Sequence, residues 1–404
     1  MSKKINTTDK TVGILYDSVS LNTGDIAIGV ALIQVLEKRG IKARILDPYT
    51  YKNDPSRTVI VGGGQLLRDP GDDFYDKFRI KGKHILNSVG VSGTKDFSYL
   101  KDYLYVSTRS TFESNVIKGY VGKGVDVIPC TTTLLESKKY TIPGLKSKPG
   151  EKVVGIQLVP DVLITCPDII QIINNIPHKK VFIPFTHYNQ DASFMKNLPF
   201  DKTNAIMLDK LEPLELHSAM SQMDYVIVSS LHASIFAYTQ NVPFISMYQK
   251  KAHDYFKDRK LDNFVYTNQE QLVGLIDLVE NSNIDMSEKI EKDRAMVNKT
   301  IDKYVEIINS TSTTAQYEEG SDDIKASALR RLQLEVKQLE GVVGKRDVLM
   351  HNMIYENMRS SEKKLNTLRD YISELENKLV IEQKKRLLSR MKRIAYMIVG
   401  KKYE

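Results

Sequence analysis

The sequence predicts an α/β protein built from two Rossmann-like domains that face a cleft, followed by a helical, coiled-coil tail. Three observations carry this expectation. Short apolar strands alternate with amphipathic helices from Thr11 to about Val265. A turn-rich stretch, Thr141 to Lys152 (TIPGLKSKPGEK), divides that alternation into two runs. Beyond Ser310 there is no proline, and helix-forming residues dominate.

The first domain is expected over residues 1–145. Its strands are Thr11 to Tyr16, Lys42 to Leu46, Thr58 to Gly62, Lys83 to Val89, Tyr103 to Thr108 and Val125 to Pro129. Between the first two, Asp25 to Arg39 reads as a helix, with Ile26, Ile28, Val30, Leu32, Ile33 and Leu36 at its apolar positions and Asp25 placed to cap it. The second domain, 146–310, repeats the pattern with strands in Val153 to Val159, Lys180 to Phe185, Asn204 to Asp209, Asp224 to Ser230 and Pro243 to Tyr248. Helices are expected at Leu214 to Met223, Ala233 to Thr239, Gln269 to Val279 and Ser287 to Ile308. Consecutive strand and helix units of this kind imply parallel sheets with helices on both faces.

A polar connector, 311–323, leads into a tail over 324–404. Leu332, Val336, Leu339 and Val343 keep one a/d register, and Leu365, Leu368, Ile372, Leu375 and Leu379 keep another. The expectation is homo-oligomerisation through 324–380, with a helix folding back on the body as the alternative. Residues 384–402 (KKRLLSRMKRIAYMIVGKK) contain no acid, and their apolar face from Leu387 to Ile398 is flanked by lysine and arginine. Such a helix fits either peripheral contact with an anionic leaflet or packing in an oligomer with a solvated basic face.

The net charge of +8 is a property of this tail, since about seven of those units follow Ser321. The globular part is close to neutral, basic and aromatic residues do not interleave, and nucleic acid is not an expected partner. The two cysteines, Cys130 and Cys166, stand apart without metal-ligand spacing, so neither a disulfide framework nor a metal site is expected. The N-terminal residues lack the apolar core of a signal peptide, and no apolar run is long enough to span a bilayer. The expected location is the cytoplasm, with peripheral association at the inner face of the membrane through the tail.

Polar residues cluster where strands end, the edge at which α/β folds bind ligands. An apolar strand delivers Ser229-Ser230-Leu231-His232 into a helix, whose first amides and positive dipole end suit an anion. The next strand ends in Tyr248, Lys250 and Lys251. Near the N-terminus, Asn22-Thr23-Gly24-Asp25 joins strand to helix; Gly24 permits close backbone approach, although such turns also cap helices without binding anything. Gly62, Gly63 and Gly64 follow a strand and leave amides accessible to an anion or sugar hydroxyl, without Walker or dinucleotide spacing. Arg109 ends the strand YVSTR, where it serves either to grip a carboxylate or phosphate or as an ordinary surface ion-pair partner. His187, Asn189 and Asp191 belong to a dense polar run after another strand, with helix capping as the simpler role for Asn189 and Asp191.

Taken in order, these pieces resemble the polysaccharide pyruvyl transferase family over residues 11–265. The matching elements are the N-x-GD turn (Asn22, Gly24, Asp25), the glycine-rich strand end (Gly62 to Gly64), S-x-R (Ser107, Arg109), Leu-His-Ala (Leu231, His232, Ala233) and Y-x-x-K after a V-P strand (Val242, Pro243, Tyr248, Lys251). Three positions depart from the pattern: Ser230 stands in place of Arg, Ser110 in place of Asp, and Cys130-Thr131 in place of Asp-Pro.

The resemblance implies a fold similar to the B-type glycosyltransferases and transfer of pyruvate from phosphoenolpyruvate to sugar hydroxyls of a cell-surface or exopolysaccharide precursor as a ketal. It implies catalytic roles for His232, Arg109 and Lys251. Substrate-binding residues are then Asn22, Gly24, Asp25, Gly62, Gly63, Gly64, His187, Asn189, Ser230, Leu231 and Tyr248. No metal and no cofactor are expected, phosphoenolpyruvate being a co-substrate and a glycan or lipid-linked saccharide the acceptor. Two other readings stay open: a nucleotide-sugar glycosyltransferase of similar shape, and a catalytically degenerate scaffold.

Overall fold

The computed structural model describes residues 11–20, 22–186 and 191–311, together with Arg369, Asp370, Ser373, Lys385, Leu388 and Ser389. The first six-stranded sheet comprises β1 (Thr11–Leu15), β2 (Lys42–Leu46), β3 (Val59–Gly62), β4 (Ile85–Val89), β5 (Tyr105–Thr108) and β6 (Asp126–Val127), all pairs parallel in the order β2-β1-β3-β4-β5-β6. Its long helices are α1 (Thr23–Glu37) and α2 (Thr111–Val121). β3 and β4 are buried along their whole length; β3 accordingly reads as an unbroken apolar run, as parallel strands with both faces covered do, while β4 carries the buried polar pair Asn87 and Ser88.

The second sheet contains β7 (Val153–Gln157), β8 (Lys179–Phe182), β9 (Ala205–Met207), β10 (Tyr225–Val228), β11 (Phe244–Met247) and β12 (Val265–Tyr266) in the order β12-β11-β10-β7-β8-β9, again all parallel. Around it run α3 (Val162–Thr165), α4 (Ile169–Asn175), α5 (Asp191–Asn197), α6 (Pro213–Met220), α7 (Leu231–Thr239), α8 (Lys250–Lys257) and α9 (Gln269–Asn281). Every residue of α7 is buried, and its apolar character all round marks a core helix rather than a surface one. The helix that carries His232 is therefore fixed on all sides.

These two parallel sheets with flanking helices are the expected α/β architecture. Strand order reverses between β1 and β3 in one sheet and between β7 and β10 in the other. Those reversal points open crevices at the carboxyl ends of the strands, where doubly wound folds place their ligands.

α10 (Ser287–Ser310) was expected to belong to the second domain, but it packs on both. Its first half meets the second domain, where Asp293 pairs with Arg259 at 2.6 Å. Its second half crosses to the first, where Arg39 pairs with Asp302 and the Tyr304 hydroxyl donates to Asn87 Oδ1 at 3.1 Å. The 3.6-residue periodicity specifies that this helix has a buried face, but not which partner covers it.

Residues 344–404 form a second compact unit, in which the few described positions are helical. The coiled-coil register and most of the basic helix lie outside the described residues. Among the described residues no helix is long and apolar enough to cross a membrane. Cys130 and Cys166 are free and buried.

Candidate active site

One cavity of about 160 Å³ lies between the two sheets' carboxyl ends. A single ordered water needs only about 10–15 Å³, so this space admits a small organic molecule. Its first-domain wall comes from the loop after β1 (Asp17, Ser20, Asn22, Asp25), the loop after β3 (Gln65, Leu66, Arg68, Tyr75) and the end of β5 (Arg109). Its second-domain wall is Val159, Thr186, Ser229 to His232, Gln249 and Lys251. The loops that follow β1, β3, β7 and β10 all contribute, so the cavity sits on both reversal points.

The turn before α1 ties the domains together. Asn22, rather than the expected Asp25, is the N-cap: its Oδ1 accepts from the Gly24 amide at 3.1 Å, and its Nδ2 donates to Asp25 Oδ2 at 2.7 Å. Asn22 also forms an antiparallel bridge with Thr186, and the Thr23 amide donates to the Phe185 carbonyl at 3.3 Å. A Cβ on Gly24 would fall 2.3 Å from the Cβ and Cγ of His232, so only glycine lets the histidine lie against this turn. Gly64 has φ +70°, and a Cβ there would lie 2.9 Å from Asp25 Oδ1.

Gly62 to Gly64 were expected to expose amides to a ligand, and the structure uses them differently. Gly62 is part of β3, and the Gly63 amide donates to the Asn87 carbonyl at 2.9 Å. The run makes room for α1, and the cavity lining begins one residue later at Gln65.

Ser230 caps α7, its hydroxyl accepting from the Ala233 amide, while the Ser229 and Ser230 amides both donate to Gln157 Oε1. Gln157 Nε2 donates to Asp191 Oδ2, which also accepts the Phe185 and Thr186 amides at 2.7 and 2.6 Å. Gln157 thus locks two strand ends into one polar frame. Asp191 is fully buried in it, and its carboxylate organises the loop that follows β8.

His232 is 6 % exposed, and burial followed by the charges of Arg109 and Lys251 pushes its imidazole down to about 3. Burial and the neighbouring Asp17 push the Asp25 carboxyl up, with Lys251 and Arg109 opposing. His232 Nδ1 and Asp25 Oδ1 lie 3.7 Å apart, beyond hydrogen-bond reach; with its carboxyl raised to about 7, Asp25 keeps a substantial protonated fraction near neutral pH, while His232 is neutral. The Cys130 thiol lies 3.8 Å from His232 Nε2, and burial raises its pKa, so it meets the imidazole as a neutral neighbour.

Arg109 is 3 % exposed, which excludes the surface ion pair. Its Nε donates to Glu113 Oε1 at 3.0 Å, while Nη2 is buried with no hydrogen-bond partner among the described residues. Glu113 also accepts from the Ser110 hydroxyl and the Val91 amide. The carboxylate missing at position 110 is therefore supplied one helical turn later, from a residue that sequence reading passed over. An acid four residues after an arginine at a strand end was the available signal.

Lys251 lies in the first turn of α8 and lines the cavity; burial, then Arg109, lowers its ammonium to about 8. Tyr248, expected beside it, is 44 % exposed and does not line the cavity, whereas the next residue, Gln249, does. His187 and Asn189 lie outside the described residues. Asp17, Ser20, Gln65, Arg68, Tyr75, Thr186 and Gln249 are lining residues that sequence reading did not single out. Among the described residues no group of three or more His, Cys, Asp and Glu side chains is placed to hold a metal ion.

Several solved structures are similar. The S. aureus MnaA structure with UDP is 10 % identical, with a TM-score of 0.47 over 77 % of this chain and 100 % of that one. UDP-GlcNAc 2-epimerase from Neisseria meningitidis gives 12 % identity and a TM-score of 0.46 over 73 % and 100 %. Sucrose-phosphate synthase from Thermosynechococcus elongatus gives 11 % and 0.48 over 75 % and 100 %. No curated protein matches the chain in sequence. The family model of polysaccharide pyruvyl transferases matches residues 22–250, more than half of the chain, and the chain belongs to that family.

Proposed function

We propose that the protein transfers pyruvate from phosphoenolpyruvate to two hydroxyls of a sugar, forming a ketal and releasing inorganic phosphate. The observation that carries this reading is the convergence of Arg109, His232 and Lys251, from three separate strand ends in two domains, on one small cavity. A donor with a carboxylate and a phosphate needs fixed positive charge, and Arg109 and Lys251, which line the cavity from opposite domains, supply it. The Ser110 departure leaves Arg109 armed, because Glu113 holds it.

The chemistry divides between Asp25 and His232. The protonated Asp25 carboxyl gives a proton to the methylene carbon of the donor, and the first sugar hydroxyl bonds to the adjacent carbon. Neutral His232 accepts the proton of the attacking hydroxyl. Inorganic phosphate then leaves with its bridging oxygen, and a second hydroxyl closes the ketal, its proton passing to phosphate. The Asp25 proton thus becomes part of the new methyl group, the first hydroxyl's proton returns from His232 to Asp25 to reset the site, and the second hydroxyl's proton leaves with phosphate. His232 starts neutral because burial disfavours its imidazolium, and the negative charge of the bound donor offsets that cost as the imidazole takes the proton.

The acceptor in this reading is a glycan or lipid-linked saccharide destined for a cell-surface polymer, and no metal takes part. Acceptor-dependent phosphate release from phosphoenolpyruvate tests it. His232→Ala should abolish that release while leaving the fold intact, and turnover like that of the unaltered protein in this variant would refute the assignment.

A further inference from the structure

Arg68 has no role in the reading above, yet it stands in the same cavity. It follows the glycine run after β3, at the strand-order reversal, on the wall opposite Lys251. Its guanidinium carbon lies 3.5 Å from the centroid of the Tyr75 ring, which fixes the side chain by cation–π stacking. Its Nε is buried and meets no hydrogen-bond acceptor among the described residues. A buried, unmatched donor on a charged group costs stability unless an arriving acceptor satisfies it. Its backbone carbonyl accepts from Arg79 Nη1 at 3.0 Å.

The charge balance of the cavity points the same way. The second-domain wall supplies one cation, Lys251, because Ser230 contributes a hydroxyl that caps α7. Arg109 adds a second, partly matched by Glu113. Phosphoenolpyruvate carries a carboxylate and a phosphate dianion, more negative charge than those two cations offset. Arg68 is near enough to influence both Asp17 and Lys251, which places its charge over the same space.

We propose that Arg68 is an anion-binding residue of this site, its guanidinium held on Tyr75 so that it takes a phosphate or carboxylate oxygen of the donor. This rests on the phosphoenolpyruvate reading for the identity of the anion, but not for the presence of an anion site. A planar fork stacked on a ring is not replaced by lysine, so charge alone should restore only part of the binding.

Calorimetric titration of the full-length protein with phosphoenolpyruvate, and separately with inorganic phosphate, tests the proposal in the unaltered chain, Arg68→Ala, Arg68→Lys and Arg109→Ala. The expected result is a dissociation constant for phosphoenolpyruvate raised about 10-fold to 100-fold in Arg68→Ala, with Arg68→Lys intermediate and both unfolding midpoints unchanged. If Arg68→Ala binds phosphoenolpyruvate as tightly as the unaltered protein while Arg109→Ala does not, Arg68 is no part of the donor site and only this inference fails. Weaker use of the sugar acceptor with unchanged donor binding overturns it equally. If phosphoenolpyruvate does not bind but phosphate does, and Arg68→Ala loses it, the donor identity fails and the anion-binding role of Arg68 stands. Binding of neither anion to the unaltered protein overturns both.

Discussion

Gly24 and His232 belong to different domains and touch so closely that a methyl group on the glycine would fall 2.3 Å from the histidine's Cβ. Because the obstructed atom is a Cβ, no rotation of the imidazole relieves the clash. Gly24→Ala should therefore move the α1 turn and α7 apart and cut kcat/KM by at least about 100-fold, the scale expected for misplacing a reacting group by about an ångström. Kinetics together with urea unfolding would check this, and a variant with unchanged turnover would show that the contact is dispensable.

The Arg109–Glu113 pair has side chains only 4 % exposed. Breaking such a pair by removing one partner leaves an uncompensated buried charge, worth about 3–5 kcal/mol. Glu113→Ala should lose that much in urea denaturation and also raise the KM for phosphoenolpyruvate. A loss below about 1 kcal/mol, the range of exposed pairs, would contradict the buried pairing.

Much of this arrangement was legible in the chain. Val59 to Gly62 and Tyr225 to Val228 announced themselves as strands because parallel sheets covered on both faces need uninterrupted apolar residues. The polar residues at their ends therefore gave the right loops. Arg68 was not legible, because its burial arises from packing between segments distant in sequence, whereas the i,i+4 spacing of Arg109 and Glu113 was readable but passed over. The N-cap was misplaced by three residues, since Asn22 and Asp25 are equally good capping types and only backbone geometry distinguishes them. Tyr248 was misplaced for a related reason. The strand ends at Met247, and the turn into α8 leaves Tyr248 exposed while Gln249 and Lys251 line the cavity.

Lys251 gives two opposed pH effects. Its ammonium titrates at about 8 in the fold, against about 10.4 for an unperturbed lysine in an unfolded chain. Between those values the unfolded chain holds more protons, so this residue's contribution to stability rises with pH from about 8 to about 10. Donor affinity should fall over the same window, as the charge that meets the anion is lost. The difference between the unaltered protein and Lys251→Met, in both unfolding free energy and phosphoenolpyruvate affinity, isolates the residue; parallel curves across pH 7 to about 10 would contradict it.

Tyr304 anchors α10 to the first domain through its hydroxyl, which donates to Asn87 Oδ1 and lies 3.4 Å from the Ser107 hydroxyl. Tyr304→Phe should cost about 1 kcal/mol, because Asn87 Oδ1 keeps Thr131 as a donor. Thermal unfolding would read the loss, and the KM for phosphoenolpyruvate should stay where it is.

The central claim is the pyruvyl transfer itself. Incubating the full-length protein with phosphoenolpyruvate and a panel of sugar acceptors, followed by mass spectrometry of the glycans, tests it directly. The account predicts an acceptor that gains one pyruvate ketal, with one inorganic phosphate released for each ketal and neither product formed by His232→Ala. Glycans unchanged across the panel, or a gained sugar residue when nucleotide-sugars are supplied instead, would contradict it.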